Sequence, residues 1–267
     1  GPLNWSQAQE KGYLKEACEG RRGKGCVADL ELVGGLAVRE LDLSEGNVGA
    51  DGAVIVARAV KVNMLLTTLK LGSNELGPDG AKHLVDGLKD NTALTTLELR
   101  YNQLKDEGAQ IIANFLRSNG TITSVGLRRN EIGAESVKSI GDALVTNQSL
   151  TSLDLLENDI GQEGANAIVD AAKGKPQLTT LCGIKPEDAK LNFSEQDLAV
   201  WDAILLAFDL QRNSTAAELN LANLTNSSRD IHMSALTNSG RDMSGVIQLS
   251  EALKSNGSLV EMNLSHN

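Results

Sequence analysis

The chain has 267 residues and a formal net charge of −10, with 41% hydrophobic residues but only 3% aromatics. That length suits a large core or a stack of repeats, and the core must be filled by Leu, Ile, Val and Ala in many small, equivalent slots. The acidic balance argues against nucleic acid, which a negative surface would repel; the absence of any run of eighteen apolar residues argues against membrane insertion, and no signal peptide opens the chain.

At the N-terminus, Gly1-Pro2 has the form of a protease-site remnant. "SQAQEKGYLKEACEGRR" predicts a helix with Tyr13, Leu14, Ala17 and Cys18 on one side, read as a cap within residues 1–27. The "RRGKG" that ends this region lacks P-loop spacing and reads as a basic loop. "ADLELVGG" (28–35) predicts the edge strand. "VRELDLSEGNVGADG" then starts the first full unit, with one residue more before Asn47 than later units have. Leu66, Leu94, Ile122, Leu150 and Leu178 open segments 28 residues apart. In each, a short strand points alternate residues inward, such as Leu69 and Leu71, and leaves Thr68, Lys70 and Gly72 outward. A helix follows, with Ala81, Leu84, Val85 and Leu88 on one face. The asparagines three residues before each new strand, Asn63, Asn91, Asn119 and Asn147, suit a left-handed helix C-cap. Asn119, Asn147 and Asn256 sit in N-x-S/T sequons but recur at one frame position, so the repeat accounts for them.

The pattern bends twice more. "LTTLCGIKPEDAKLNFSEQDL" starts two strands about ten residues apart with Pro186 between them, too close for a helix. It predicts a seam near 182–190 and a change in curvature, with room for one continuous ladder of strands across it. In the next helix, "AVWDAILLAFDL", the frame points Ala203, Leu206 and Leu210 inward and leaves Trp201, Ile204 and Phe208 as an exposed convex stripe, a cover or second partner surface. The final unit carries about fifteen extra residues near 224–242, where "LTNSSRD" and "LTNSGRD" nearly duplicate one another. It reads as a rim loop, with Arg229, His232 and Arg241 as contact candidates. "LVEMNLSHN" ends in mid-motif, so the chain is expected to be a fragment of something longer.

The shared frame, L-x-x-L-x-L-x-x-N-x-L-G with Ile or Val in some leucine positions, resembles the leucine-rich repeat over Val38 to Asn267, within a repeat domain read as residues 28–267. The Gly-Ala-x-x-Leu helix start resembles the ribonuclease-inhibitor-like subfamily, which includes ribonuclease inhibitor, the Ran GTPase-activating protein, the repeat regions of NOD-like receptors and the tropomodulin cap. The resemblance implies an α/β fold: a right-handed horseshoe solenoid with a parallel concave sheet and convex helices. It also implies that Asn74, Asn102, Asn130 and Asn158 form a ladder, each side chain bonding the backbone of a turn.

No HExxH, G-x-S-x-G or converging carboxylate pair is present, and the His, Cys, Asp and Glu residues show no metal-ligand spacing. We therefore expect no catalytic constellation and no cofactor. Cys18, Cys26 and Cys182 are too few and scattered for a disulfide framework and read as reduced thiols. The residues expected to carry function face outward from the strands: Lys70, Glu98, Arg100, Tyr101, Arg128, Arg129, Asp154, Leu156 and Glu157. Arg129 beside Glu157 reads as a surface ion pair. Arg100 beside Arg128 is a like-charge pair that the fold alone disfavours, and with the dent at Gly126 and apolar Leu156 and Tyr101 it reads as an interface hot spot.

The expected function is a non-enzymatic scaffold that binds a protein partner on the concave face. A GTPase-activating protein like the Ran regulator, recruiting Asn102, Arg128, Arg129 and Asn130, is the alternative. An inhibitor like ribonuclease inhibitor ranks last, because the chain is poor in Cys and in concave aromatics. A cytoplasmic setting is expected, with cytoskeletal or ciliary association left open.

Overall fold

The computed structural model describes residues 3–4, 39–185, 187–222 and 244–265. The expected N-terminal helix, the 28–35 segment and the insertion with Arg229, His232 and Arg241 lie outside the described residues. Strands β1 (Leu3–Asn4), β2 (Glu40–Asp42), β3 (Thr68–Lys70), β4 (Thr96–Glu98), β5 (Ser124–Gly126) and β6 (Ser152–Asp154) form one parallel sheet in sequence order. Between them run α1 (Gly49–Val62), α2 (Gly77–Leu88), α3 (Lys105–Ser118) and α4 (Ala134–Thr146), with α5 (Gly161–Lys173) after β6. A second parallel sheet holds β7 (Lys190–Asn192), β8 (Glu218–Asn220) and β9 (Glu261–Asn263), with α6 (Val200–Arg212) after β7 and α7 (Ser244–Ser255) after β8. This is an α/β repeat solenoid. Each parallel pair needs a crossover, and the helix supplies it.

The leucine frame makes the core. Leu41, Leu69, Leu97, Val125 and Leu153 stack in register between strands, and all are buried. Ala81, Leu84 and Leu88 face them from α2. A Cβ on Gly87 would collide with the Ala57 carbonyl oxygen, so glycine there permits the close approach of α1 and α2.

The expected ladder is present. Asn102 donates its backbone N–H to Asn130 Oδ1 at 2.9 Å and accepts the Asn74 N–H at 3.0 Å. Its Nδ2 donates to the Leu71 and Leu99 carbonyls at 2.8 and 2.9 Å. An amide side chain both donates and accepts, so each rung can serve the next, through Asn130 to Asn158.

The strand beside β2 is Leu3–Asn4. Three expectations are corrected. The first unit carries no extra residue: Leu41 pairs with Leu69, so Gly46 stands at the ladder position and Asn47 matches Glu75, both with left-handed φ (51° and 52°). Asn63, Asn119 and Asn147 end their helices in extended conformation, not left-handed. They and Asn91 form a second ladder: Asn91 Oδ1 accepts the Ala93 and Leu94 N–H groups, and its Nδ2 donates to the Val60 and Asn63 carbonyls. Where the frame reaches Lys175, the ammonium makes those donations instead, to Val145 and Asn147.

The break expected near 182–190 is present, but the continuous ladder is not. The sheet does not continue across it: β6 and β7 do not pair, and only single bridges, Ser152 to Thr180 and Asp154 to Cys182, extend the first sheet. The helix layer does continue, because α5 packs on α6. Beyond the seam, Leu219 of β8 pairs with Met262 of β9, so the long insertion lies within one repeat and leaves the strand register intact.

Candidate docking surface

On the open face of the first sheet, Asp42, Lys70, Glu98, Gly126 and Asp154 stand in one row, as the 28-residue period requires. Lys70 pairs with Glu40 at 2.5 Å, and that hydrogen bond raises its pKa. The dent expected at Gly126 is filled: Glu98 reaches into the space a Cβ would occupy. Burial raises the Glu98 pKa, against the pull of Arg100 and Lys70.

Arg100 and Arg128 are neighbours in backbone register, since Tyr101 N–H donates to the Arg128 carbonyl at 3.0 Å. Their side chains part. Arg100 is exposed and lies over Gly72, its Cγ 3.0 Å from where a Cβ would stand. It forms no ion pair among the described residues. Arg128 turns the other way: Nε donates to Glu157 Oε1 at 2.8 Å, and Nη2 donates to the same oxygen and to Gln196 Oε1 at 2.7 Å. Only 18% of the Arg128 side chain and 4% of Glu157 are exposed. Burial works against the Arg128 charge, but Asp154 and Glu157 outweigh it and raise its pKa.

The ion pair expected of Arg129 with Glu157 is present at 3.2 Å, but the accessibility expected of Arg128 is corrected. Arg128 is a buried tie across the seam, and Arg129 is the accessible one, at 41%. Arg129 donates to the Tyr101 hydroxyl at 2.8 Å, with its guanidinium carbon 5.0 Å from the Tyr101 ring centroid. It also faces Glu157 at 3.2 Å and Asp197 at 3.9 Å. Ser73, Tyr101, Arg129 and Glu157 share a left-handed φ of 56–58° at the strand exit, which splays this row along the edge of the sheet. Leu156 is fully buried, so it offers no open apolar surface. Asp154 keeps a partly accessible surface, but burial pushes its pKa up to about 7, with Arg128 opposing.

The expected convex stripe is also corrected: Ile204 and Phe208 are buried, and Trp201 is partly buried, its indole N–H donating to the Asn158 carbonyl at 2.7 Å. Helix α6 is turned so that Asp202 and Asp209, seven residues apart and thus on one face, meet the seam. Asp202 accepts the Glu157 N–H at 3.1 Å and the Ala199 N–H at 2.8 Å. Asp209 accepts the Leu181 and Cys182 N–H groups at 2.7 and 3.0 Å, and the Thr180 hydroxyl. These carboxyls take N–H groups at the broken edge of the first sheet that an adjoining strand would otherwise meet. Burial pushes Asp202 up to about 8 and Asp209 up to about 7, against those hydrogen bonds. Burial also raises the Cys182 thiol well above its ordinary pKa, which leaves it unreactive. The sequence signal for this arrangement was two acids on a helix otherwise apolar on every side, a pattern of burial.

Closing the seam creates a cleft of about 1000 Å³ along the strand-exit edge. Tyr101, Arg129 and Glu157 line it from the regular repeats, and Asp197 and Trp201 from beyond the seam. Asn102 and Asn130, candidates for GTPase regulation, are fully buried in the ladder and do not reach this surface. Among the described residues no helix is long and apolar enough to cross a membrane.

A family model for the leucine-rich repeat matches residues 62–85, 90–113 and 146–169. No curated protein matches the chain. Among solved structures, the actin-binding site 2 of leiomodin-1 is similar with a TM-score of 0.46 and 20% identity, over 60% of this chain and 86% of that one.

Proposed function

We propose that the chain is a non-enzymatic protein-interaction scaffold of the ribonuclease-inhibitor-like kind, with its partner docking at the strand-exit edge and the adjoining open sheet face. The observation that carries this reading is the Arg129–Tyr101 stack at the mouth of the cleft. An accessible guanidinium over an accessible ring, braced by a buried carboxylate, is the composition of an interface hot spot. Arg100, exposed and without an ion pair among the described residues, extends the contact onto the sheet face. Arg128, Asp154, Leu156 and Glu157 support this surface from beneath.

The test uses biotinylated chain to capture proteins from a lysate, with wild type compared with Tyr101→Gly/Arg100→Ala by quantitative mass spectrometry. Gly is chosen because the left-handed backbone at Tyr101 accepts it without strain. A protein lost at least ten-fold with the variant, then purified and titrated with the same loss, supports the reading. An unchanged set of captured proteins contradicts it.

A further inference from the structure

We propose that the open face of the first sheet receives an acidic segment of the partner protein, held between Arg100 and Lys185. The location rests on the docking reading above; the chemistry of the occupant rests on how these two cations meet on the face. Arg100 lies flat over β3, its Cγ and Nε 3.0 and 3.1 Å from where a Cβ on Gly72 would stand. The glycine makes room for the stem, and that contact orients the guanidinium before any partner arrives. Lys185 comes from the seam. The chain there crosses over Asp154, so that a Cβ on Gly183 would fall 3.1 Å from the Asp154 Cβ. It carries Lys185 close enough for its charge to pull the Glu98 pKa down, as Arg100 does from the other side. Both cations are exposed, and neither makes an ion pair or a side-chain hydrogen bond among the described residues.

The other charges of this face are already matched or weakened. Lys70 is paired with Glu40, and Arg128 with Glu157. Glu98 and Asp154 lie between the two free cations, but burial raises the pKa of both and makes them poor counter-ions. Asp42 stands on the far side of Lys70, its Oδ1 occupied by the Ser44 N–H at 3.0 Å. In a chain of net charge −10, the unmatched groups here are cationic, and they complement carboxylates. The acidity of the rest of the molecule is screened beyond roughly 8 Å at physiological salt. From β3 to β6 is three strand spacings, about 14 Å, which is also the reach of about four extended residues. An extended segment lying across the strands, with acidic side chains at alternate positions, therefore meets both cations with one of its faces.

The experiment measures, at physiological salt, the fluorescence anisotropy of a fluorescein-labelled peptide with six glutamates alternating with glycine, and of the matching six-glutamine peptide as control. Wild type should bind the glutamate peptide only. Arg100→Ala/Lys185→Ala should weaken that binding at least ten-fold, and Glu98→Gln, which removes a competing carboxylate, should strengthen it about three-fold. Arg58→Ala/Lys82→Ala, an equal charge change at exposed positions of α1 and α2, should alter it less than two-fold. Matching urea midpoints confirm folding of each variant. No binding of the glutamate peptide overturns the proposal, as does equal binding of the glutamine peptide. Equal weakening by the two double variants overturns it too, since net charge alone would then be at work. The captured partner should also be lost with Lys185→Glu. If it is lost with Tyr101→Gly/Arg100→Ala but kept with Lys185→Glu, the acidic occupant fails and the docking surface stands. If both variants keep it, the docking surface itself fails.

Discussion

Between β2 and β6, each strand exit is served by an asparagine of the next repeat; at the seam, the same need is met by Asp202 and Asp209 from a helix. The difference is chemical. An amide donates and accepts, so an asparagine satisfies its neighbour and presents its own backbone to the next rung, and the ladder propagates. A side-chain carboxyl has no N–H group to give, so it closes an edge that offers N–H groups and does not carry the asparagine pattern on. The regular stack is thus built to continue and the seam to stop the sheet, while the helix layer runs on through α5 and α6. Stopping has a consequence at the surface: two of the groups that stitch the seam, Glu157 and Asp202, also wall the cleft.

The contrast is tested first at its most buried ion pair. Arg128→Ala leaves the buried Glu157 with only Arg129 as a cation, at 3.2 Å, and should cost about 3 kcal/mol, the low end for breaking a buried pair, read from urea unfolding; a loss below about 1 kcal/mol would show that the tie across the seam holds little. Asp209→Ala leaves the Leu181 N–H and the Thr180 hydroxyl without an acceptor, while the Cys182 N–H keeps the Thr180 hydroxyl oxygen at 3.1 Å. At about 1–3 kcal/mol for an unsatisfied buried group, a loss of roughly 3 kcal/mol is expected, and a surface-like loss would mean that water or a shifted strand serves the edge equally well.

Titration gives a third effect, with a definite sign. The folded pKa values of Asp154, Asp202 and Asp209, about 7 to 8, lie above the usual aspartate value. The folded state therefore binds more protons than the unfolded chain across pH 4–8. Stability contributed by protonation is complete below pH 4 and is lost as pH rises through 7 to 8. The urea midpoint should fall between pH 5 and pH 9, and Asp202→Asn should flatten part of that fall. A midpoint that rises over this range would contradict the burial of these groups. The smallest effects belong to the accessible arginines. Arg129→Ala should cost under about 1 kcal/mol, as exposed ion pairs do, and Arg100→Ala should stay within about 0.5 kcal/mol; a larger loss at Arg100 would make it part of the fold.

The sequence made the regular stack readable because a 28-residue period fixes both the inward leucines and the lateral neighbours of each strand residue. The rows through Lys70, Glu98 and Asp154, and the ladder through Asn74 to Asn158, follow from that period alone. Side-chain direction does not. Arg128 and Arg129 occupy adjacent frame positions, and what separates their roles is Gln196 and Glu157, one of them 68 residues away across an irregular segment. The frame also assigned Trp201, Ile204 and Phe208 to solvent by analogy with α2. At the seam that analogy fails, because α6 is rotated by the demand of unpaired N–H groups for Asp202 and Asp209. The descending asparagines were placed correctly but given the wrong backbone, since their side chains, and not a left-handed turn, close the helix ends.

Amide hydrogen exchange at Leu181 and Cys182 decides whether α6 carboxyls close the first sheet. In wild type both should be protected to the same degree as Leu153, whose N–H bonds the Thr180 carbonyl at 3.1 Å. In Asp209→Ala Leu181 should exchange at least ten-fold faster, Cys182 less so because its N–H keeps the Thr180 hydroxyl oxygen at 3.1 Å, while Leu153 is unchanged. Fast exchange in wild type, or rates indifferent to the substitution, would contradict it.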